Sequence, residues 1–241
     1  PCWAYCAEDF ECEVGTVGRG FLLHDFGYRD AYGGMGRLRA VWSAFFRARC
    51  GEACGRVWGL YFHGNGGNIT HRRTLLDRIA SELNVTVVGV SYSGYGLSEG
   101  KPSERQLQQD AEAALAYLLE HYDIDKTEVM LFGESLGGAI ATRLASDHQL
   151  VLIALDSTFN SLTNVAQHHY PWLPIKYLMS NRFLVKRYAQ NYFGSVVQTH
   201  GTDDQVVPFQ LGRQLALQFP NQACHRFLVR KGGKHNEIPP D

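Results

Sequence analysis

The sequence lacks any apolar run long enough to cross a membrane as a helix. Such a helix needs about 18 or more consecutive apolar residues, and the best run here, at 151–155, has the length of a strand. The first residues, PCWAYCAEDFEC, are polar and lack the basic start of a signal peptide. We therefore expect no membrane span and no signal sequence in this stretch. A cytoplasmic or membrane-associated location is favoured, and secretion stays open.

An excess of charge of one sign is also missing. The chain holds 23 basic and 24 acidic residues, so its formal net charge is −1. Without a strong overall field the protein has no general attraction to nucleic acid, and no nucleic-acid partner is expected. The length of 241 residues, with 45% hydrophobic and 20% charged residues, suits one globular domain with a substantial core.

Cysteine and histidine do not form a recognisable metal motif. Five of the six cysteines precede residue 55, and Cys224 stands apart. Their C-x-x-x-C spacings, at 2–6 and 50–54, are looser than the paired C-x-x-C of zinc ribbons. Free thiols are favoured, disulfides come second and a metal site third. The adjacent His168 and His169 have no carboxylate or cysteine at ligand spacing, so we expect neither a metal nor another cofactor.

Short apolar runs alternate with longer amphipathic segments from residue 57 onward. Strands are predicted at 57–62, 86–90, 129–132, 151–155, 195–199 and 226–229, and helices at 72–83, 103–122, 136–146 and 209–219. Ser103 and Gln106 have the spacing of a capping box. The alternation predicts an α/β fold with a mostly parallel sheet covered by helices on both faces. Residues 57–241 are assigned to this domain, and residues 1–56, with a strand at 37–46, to its first strands.

The strongest local signal is a G-x-S-x-G motif at 133–137, between a predicted strand and a predicted helix. Small residues on both sides of Ser135 allow a tight turn that projects the hydroxyl above the sheet edge. The helix behind the turn offers free N–H groups and a partial positive charge. Ser135 is therefore the predicted nucleophile. The alternative is a glycine-rich turn without chemistry.

A second glycine-rich segment, HGNGGN at 63–68, directly follows a predicted strand. An attacked acyl group develops an oxyanion, which needs N–H donors already in place. We predict the backbone N–H groups of Leu136 and Asn65 as these donors, with Gly66 as the less favoured alternative to Asn65. Gly64 and Gly66 are also candidate substrate contacts. A phosphate-binding loop is disfavoured because neither G-x-G-x-x-G nor a Walker lysine is present.

The acid and the base of such a site should follow the nucleophile in the order Ser, Asp or Glu, His. Two acids, Asp203 and Asp204, follow the predicted strand at 195–199. An acid at the carboxyl end of a strand is well placed to face a ligand. His235 follows the last predicted strand in a glycine-containing loop, from which its imidazole could take the serine proton.

Five segments together, at 63–68, 92–100, 133–138, 200–208 and 234–236, resemble α/β-hydrolase-domain proteins. The closest subgroup is the bud-emergence type of small, often membrane-associated serine hydrolases. The resemblance covers about residues 57–236 and implies the α/β-hydrolase fold. The subgroup's pattern HG-x-x-D-x-x-VP selects Asp204 over Asp203 as the triad acid. It also implies that Trp172, Leu173 and Pro174 lie in a cap.

Residues 157–194 break the alternation of strands and helices. Nearly 40 residues without a core strand is too long for an ordinary connection, so we predict a small cap over the site. Trp172 in this cap is a candidate substrate contact. Tyr92, after the second core strand, is assigned to packing first and to substrate contact second. Four basic residues could meet an anionic head group or form a solvated helix face: Lys176, Arg182, Lys186 and Arg187.

These observations predict a serine hydrolase that cleaves an ester, thioester or lipid-like acyl substrate through an acyl-enzyme on Ser135. The alternatives are a protein depalmitoylase, a peptidase, or a non-catalytic binding protein of the same fold. The aromatic cap favours acyl chains over peptides. The expected partners are a small-molecule or lipid acyl substrate and, peripherally, a membrane, while the oligomeric state is left open.

Overall fold

In the computed structural model of the chain, residues 57–96, 98–220 and 224–235 are described in full. Of the first 56 residues, the backbone of four strands is described: β1 Phe21–His24, β2 Tyr28–Arg29, β3 Met35–Gly36 and β4 Ser43–Phe46. Strand β1 pairs antiparallel with β4, and β2 with β3. The predicted strand at 37–46 agrees with β4 at its end, and its start lies outside the described residues. The membership of residues 1–56 in the main domain stays a prediction, as does the state of every cysteine except Cys224, which is free and exposed.

Six parallel strands form the central sheet in the order β6-β5-β7-β8-β9-β10. Each strand is at or within a few residues of its predicted position. Their bounds are β5 Trp58–Phe62, β6 Thr86–Val90, β7 Val129–Glu134, β8 Leu152–Asp156, β9 Ser195–Gly201 and β10 His225–Arg230.

In the described residues, four helices connect or flank these strands, and three more lie between β8 and β9. The first four are α1 Arg73–Leu83, α2 Glu104–His121, α3 Leu136–His148 and α7 Phe209–Ala216, and the other three are α4 Leu162–His169, α5 Ile175–Leu178 and α6 Val185–Ala189. Single 3-10 turns at Ile69–Arg72 and Lys126–Glu128 precede α1 and β7. Within the described ranges, no helix combines the length and the apolar character that a membrane span requires.

The two faces of the sheet bury different residues because side chains alternate along a strand. Leu60, Phe62 and Leu131 pack with α2 and α3 in the larger core. Tyr61 and Phe132, their neighbours in sequence, pack with α1 in the smaller core on the other face. Helices therefore cover both faces, and the predicted α/β fold class is confirmed.

Parallel pairing brings the carboxyl ends of the strands to one edge of the sheet. In the register, Phe62 of β5 pairs with Gly133, Glu134 of β7 pairs with Asp156, and Asp156 of β8 pairs with Thr199. The segments that follow β5, β7, β9 and β10 are those with the predicted chemistry. The topology places all four at this edge.

The segment predicted as a cap is tied to the first turn of α2. The Glu104 carboxylate accepts hydrogen bonds from the backbone N–H groups of Arg182 and Phe183, at 2.7 and 3.0 Å. In return, the Glu104 N–H donates to Asn181 Oδ1 at 2.9 Å. The helix start differs from its prediction in one detail. Ser103 caps the N–H of Gln106, but the Gln106 side chain donates to Asp110 and does not close the capping box.

Candidate active site

Ser135 occupies a strained turn between β7 and α3. Its backbone angles are φ 52° and ψ −111°, in the region that L-residues avoid. Its N–H donates to the Asp156 carbonyl at 2.8 Å, which fastens the turn to β8. The side chain is 7% exposed. Such a strained strand-to-helix turn is the backbone conformation that a G-x-S-x-G nucleophile requires.

The glycines around Ser135 are required by close backbone contacts. A Cβ on Gly137 would overlap the Phe62 carbonyl of β5, and a Cβ on Gly138 would overlap Thr158. A Cβ on Gly133 would lie 2.5 Å from Gly138 Cα. Helix α3 therefore starts directly against the sheet.

An ion pair between a buried carboxylate and a partly buried arginine lies beneath this turn. Arg72 donates to both oxygens of the Glu134 carboxylate, at 2.6 and 2.7 Å, and the Tyr61 hydroxyl donates to the same group at 2.7 Å. Burial alone would raise the pKa of Glu134, but these hydrogen bonds outweigh it and lower the pKa. Burial and the neighbouring Glu134 raise the pKa of Tyr61 well above its usual value. Glu134 therefore stays ionised, and its carboxylate holds the Arg72 guanidinium beside the nucleophile.

The same arginine reaches the loop after β5. The guanidinium of Arg72 also donates to the Gly66 carbonyl at 3.3 Å. A Cβ on Gly64 would lie 3.5 Å from the Ser135 Cβ, so the loop backbone passes directly beside the nucleophile. Asn65 is exposed, and its side-chain oxygen accepts a hydrogen bond from Tyr95 at 2.6 Å. Leu136 opens α3, so its N–H has no partner within the helix. Leu136 directly follows Ser135, and Asn65 follows Gly64 in the neighbouring loop, and the role of both N–H groups as oxyanion donors stays a prediction.

His63 and Tyr92 support this loop from below, and both are completely buried. The Tyr92 hydroxyl donates to the His63 carbonyl at 3.0 Å, and the two rings are in contact. Burial lowers the pKa of His63 to about 4, so the ring is neutral near pH 7 and its Nδ1 donates to the Gly64 carbonyl. The structure therefore places Tyr92 in the packing beneath the loop.

Asp204 and His235 meet at the same edge. His235 Nδ1 lies 2.7 Å from Asp204 Oδ2, which leaves Nε2 of the neutral ring as a proton acceptor. Asp204 Oδ1 accepts the N–H groups of Val206 and Val207, at 2.9 and 2.8 Å. Its side chain is fully buried, whereas that of Asp203 is exposed.

A second histidine holds the same carboxylate. His200 Nε2 lies 2.9 Å from the Val207 carbonyl and 3.3 Å from Asp204 Oδ2. Burial opposes the ionisation of Asp204, but the hydrogen bonds from His200 and His235 outweigh it and hold the pKa of this carboxyl below its usual range. The acid is therefore a permanent anion at the pH at which a histidine base works.

Two further features of the predicted site concern the contact between Ser135 and His235 and the exposure of Trp172. Among the hydrogen bonds of the described residues, none joins the Ser135 hydroxyl to His235. Trp172 is 76% exposed in the segment predicted as a cap. Its role as a substrate contact, like the role of every residue in the predicted site, stays a prediction.

Three participants were not predicted from the sequence: Arg72, Glu134 and His200. Glu134 occupies the variable position of the G-x-S-x-G motif, and no spacing rule connects it to Arg72, 62 residues earlier. His200 belongs to the HG pair of the 200–208 segment, which was the only available signal.

A cavity of about 540 Å³ lies under the sheet edge, on the face covered by α1. It is bounded by the Arg72–Glu134 pair at one side and by Asp156 and Arg230, 2.8 Å apart, at another. Ser135, Asp204 and His235 do not line it. The cavity is therefore separate from the candidate catalytic groups.

Residues 59–217 match the alpha/beta hydrolase fold family. The chain belongs to this family. An uncharacterized protein of Mycobacterium tuberculosis is 35% identical over 179 residues, which cover 74% of this chain and 62% of that protein. Protein bem46 of Schizosaccharomyces pombe is 40% identical over 115 residues, covering 47% of this chain and 38% of that protein. The resemblance to the bud-emergence subgroup is thereby confirmed, although the chain spans less than two thirds of either relative.

Among solved structures, the alpha-beta serine hydrolase homologue from Coxiella burnetii superimposes with a TM-score of 0.62. The match covers 79% of this chain and 82% of that one, at 20% identity. Likeness at this identity shows the hydrolase fold, while the chemistry has to be argued from the site itself.

Proposed function

We propose that this member of the hydrolase fold cleaves carboxylic esters or thioesters through an acyl-enzyme on Ser135. The observation that carries the proposal is the strained Ser135 turn, with the Asp204–His235 hydrogen bond of 2.7 Å at the same sheet edge. A serine held in this conformation has its hydroxyl directed away from the sheet. A histidine oriented by a buried carboxylate is the base that such a hydroxyl needs.

In the first half of the reaction, Ser135 Oγ attacks the acyl carbon while its proton passes to His235 Nε2. Asp204 accepts the Nδ1–H throughout and stabilises the imidazolium that forms. The carbonyl oxygen becomes an oxyanion, which accepts hydrogen bonds from the N–H groups of Leu136 and of Asn65 or Gly66. The bond to the leaving group then breaks, and that group takes the proton from His235.

In the second half, water attacks the acyl carbon and gives its proton to His235. The Oγ–acyl bond then breaks as His235 returns the proton to Ser135 Oγ, and the carboxylic acid leaves. Both halves require the His235 ring to come within hydrogen-bond distance of Ser135 when substrate is bound. Such catalytic hydrogen bonds often form only in the substrate complex.

Substrates with an acyl chain are favoured over peptides, because the segment predicted as a cap carries exposed aromatic and aliphatic side chains. A protein S-acyl group would satisfy the same chemistry, and a peptide would satisfy it less well. A chain-length series of p-nitrophenyl esters separates these substrates. Rising kcat/KM with chain length supports lipid or S-acyl substrates, and a preference for peptide amides contradicts them.

The central test is labelling with a fluorophosphonate probe. We expect the probe to modify Ser135, and Ser135→Ala and His235→Ala to abolish hydrolysis of a short p-nitrophenyl ester. Labelling at another serine, or full turnover by Ser135→Ala, would show that the assignment is wrong. An unlabelled but folded wild-type protein would support the alternative, a non-catalytic binding member of the fold.

A further inference from the structure

The outer end of the cap exposes a cluster of large apolar side chains. Tyr170, Trp172, Tyr177 and Leu178 are 52%, 76%, 75% and 63% exposed. They lie within residues 170–178, here named the cap tip. Ile175, in the middle of this stretch, is buried and anchors the tip to the protein. Contiguous apolar exposure of this kind is costly in water and marks a surface that contacts something else.

The cap segment itself carries charge of one sign. Between Asp156 and Asp203 the sequence contains no acidic residue and four basic ones. All 24 acidic residues therefore belong to the rest of the chain, which is net negative. The cap is a positive segment on a protein whose total charge is −1.

One of the basic residues, Lys176, lies in the tip, and a second, Arg182, contacts it from just outside. The Lys176 ammonium sits 4.8 Å from the centre of the Tyr177 ring. The Arg182 guanidinium donates to the carbonyls of Lys176 and Met179, at 3.0 and 3.2 Å, so its charge covers the carboxyl end of α5. The nearest anchoring acid, Glu104, already accepts two backbone N–H groups. Lys176 and Arg182 are themselves exposed.

The cap tip is connected to the candidate active site. His169, at the end of α4, lies 2.9 Å through Nε2 from the carbonyl of Val206. Val206 is itself 54% exposed, and its N–H is bound by Asp204. A hydrogen bond from the residue before the tip thus reaches the loop that carries the candidate acid.

We propose that the cap tip is a docking surface for a bilayer that contains anionic phospholipids. Tryptophan and tyrosine favour the interface between head groups and acyl chains, because one end of each ring system is apolar and the other is polar. Lysine and arginine beside them add attraction to an anionic surface. A protein partner would need an acidic, shaped counterpart, whereas a bilayer accepts this combination of aromatic and basic side chains without one.

Vesicle sedimentation tests the proposal with the 241-residue chain. We expect binding to vesicles of phosphatidylcholine with phosphatidylserine, and weaker binding to phosphatidylcholine alone. The doubly substituted Trp172→Ala, Tyr177→Ala protein should bind about tenfold or more weakly, because each buried aromatic ring contributes substantially to partitioning. Leu217→Ala is the matched control. Leu217 is 77% exposed at the end of α7 and lies outside the tip. Vesicle binding by the Leu217→Ala protein should therefore equal that of the wild type.

The electrostatic part has its own variants. Lys176→Gln with Arg182→Gln should remove most of the preference for phosphatidylserine and most of the salt dependence. The Ser135→Ala protein should bind vesicles like the wild type. The proposal of membrane docking and the proposed hydrolase activity are therefore tested separately. Thermal unfolding of each variant confirms that it is folded. The proposal is wrong if the wild type ignores anionic vesicles, if the aromatic double variant binds normally, or if sedimentation equilibrium shows that the tip joins two copies of the chain.

Discussion

The nucleophile and the base of the candidate site are held in different ways. Ser135 is fixed by backbone packing, with glycines pressed against β5 and β7 and a hydrogen bond to β8. His235 lies in a half-exposed loop, and a hydrogen bond from Nδ1 to Asp204 orients its ring. A nucleophile that must not move can be locked by sterics, whereas a base that must exchange protons keeps some freedom.

The largest expected effect comes from the acid that orients the base. Asp204→Asn should lower kcat for ester hydrolysis by about 10⁴-fold, because the amide favours the wrong imidazole tautomer. Asp203→Asn is the matched control, since Asp203 is exposed and adjacent, and its activity should be close to that of the wild type. Steady-state kinetics of both variants decide the point, and greater damage from Asp203→Asn would reverse the assignment.

The ion pair under the nucleophile should be costly to break, because its carboxylate is buried. Arg72→Met leaves the Glu134 carboxylate buried without its cation, and we expect a loss of about 3–5 kcal/mol in the free energy of unfolding. The control is Arg78→Met. It removes the pair with Glu82, whose side chains are 34% and 61% exposed, and should cost less than about 1 kcal/mol. Urea unfolding measures both. Equal losses would mean that Arg72 is not a structural support of the turn.

A methyl group in the nucleophile turn tests the steric lock. Gly137→Ala would place Cβ against the Phe62 carbonyl, which is backbone and cannot rotate away. We expect a destabilisation of about 3 kcal/mol or an unfolded protein. In Gly66→Ala the new Cβ would meet nothing within 4 Å, so the unfolding midpoint should hardly change. A stable Gly137→Ala protein would show that the contact between α3 and β5 is loose.

The smallest effect concerns pH. The pKa of His63 is lowered to about 4 in the folded protein, against about 6.5 unfolded. Between these values the unfolded chain binds the extra proton, so stability falls as the pH falls, by about 2 kcal/mol at pH 5. Asp204 does not contribute in this window, since its lowered pKa costs stability only in stronger acid.

The measurement for His63 is urea unfolding at pH 7 and pH 5. His63→Asn should be less stable than the wild type at pH 7 but should lose less stability between the two values. The difference between the two slopes isolates His63 from other histidines, including His225, whose pKa burial also lowers. Parallel slopes would contradict a neutral, buried His63.

Periodicity and glycine placement in the sequence were sufficient to predict the α/β class, the six core strands and the position of Ser135. These features depend on short-range rules, such as the alternation of side chains along a strand and the small residues that a tight turn needs. The hydrogen bond between Asp204 and His235 agrees with the predicted pairing, although the sequence alone left Asp203 and Asp204 equivalent and only the family pattern separated them. In the structure they differ because one carboxylate is buried against two histidines and the other faces solvent.

Other features were decided only by the tertiary structure. The Arg72–Glu134 pair joins residues 62 positions apart, and no local pattern specifies which distant charges will share a buried site. The exposure of Trp172 and the burial of Tyr92 are likewise set by packing, since both are aromatic residues in loops that resemble binding segments. Local sequence determines which strand or turn a residue occupies. The packing of several elements determines what that residue touches, because burial and contact are properties of the whole fold.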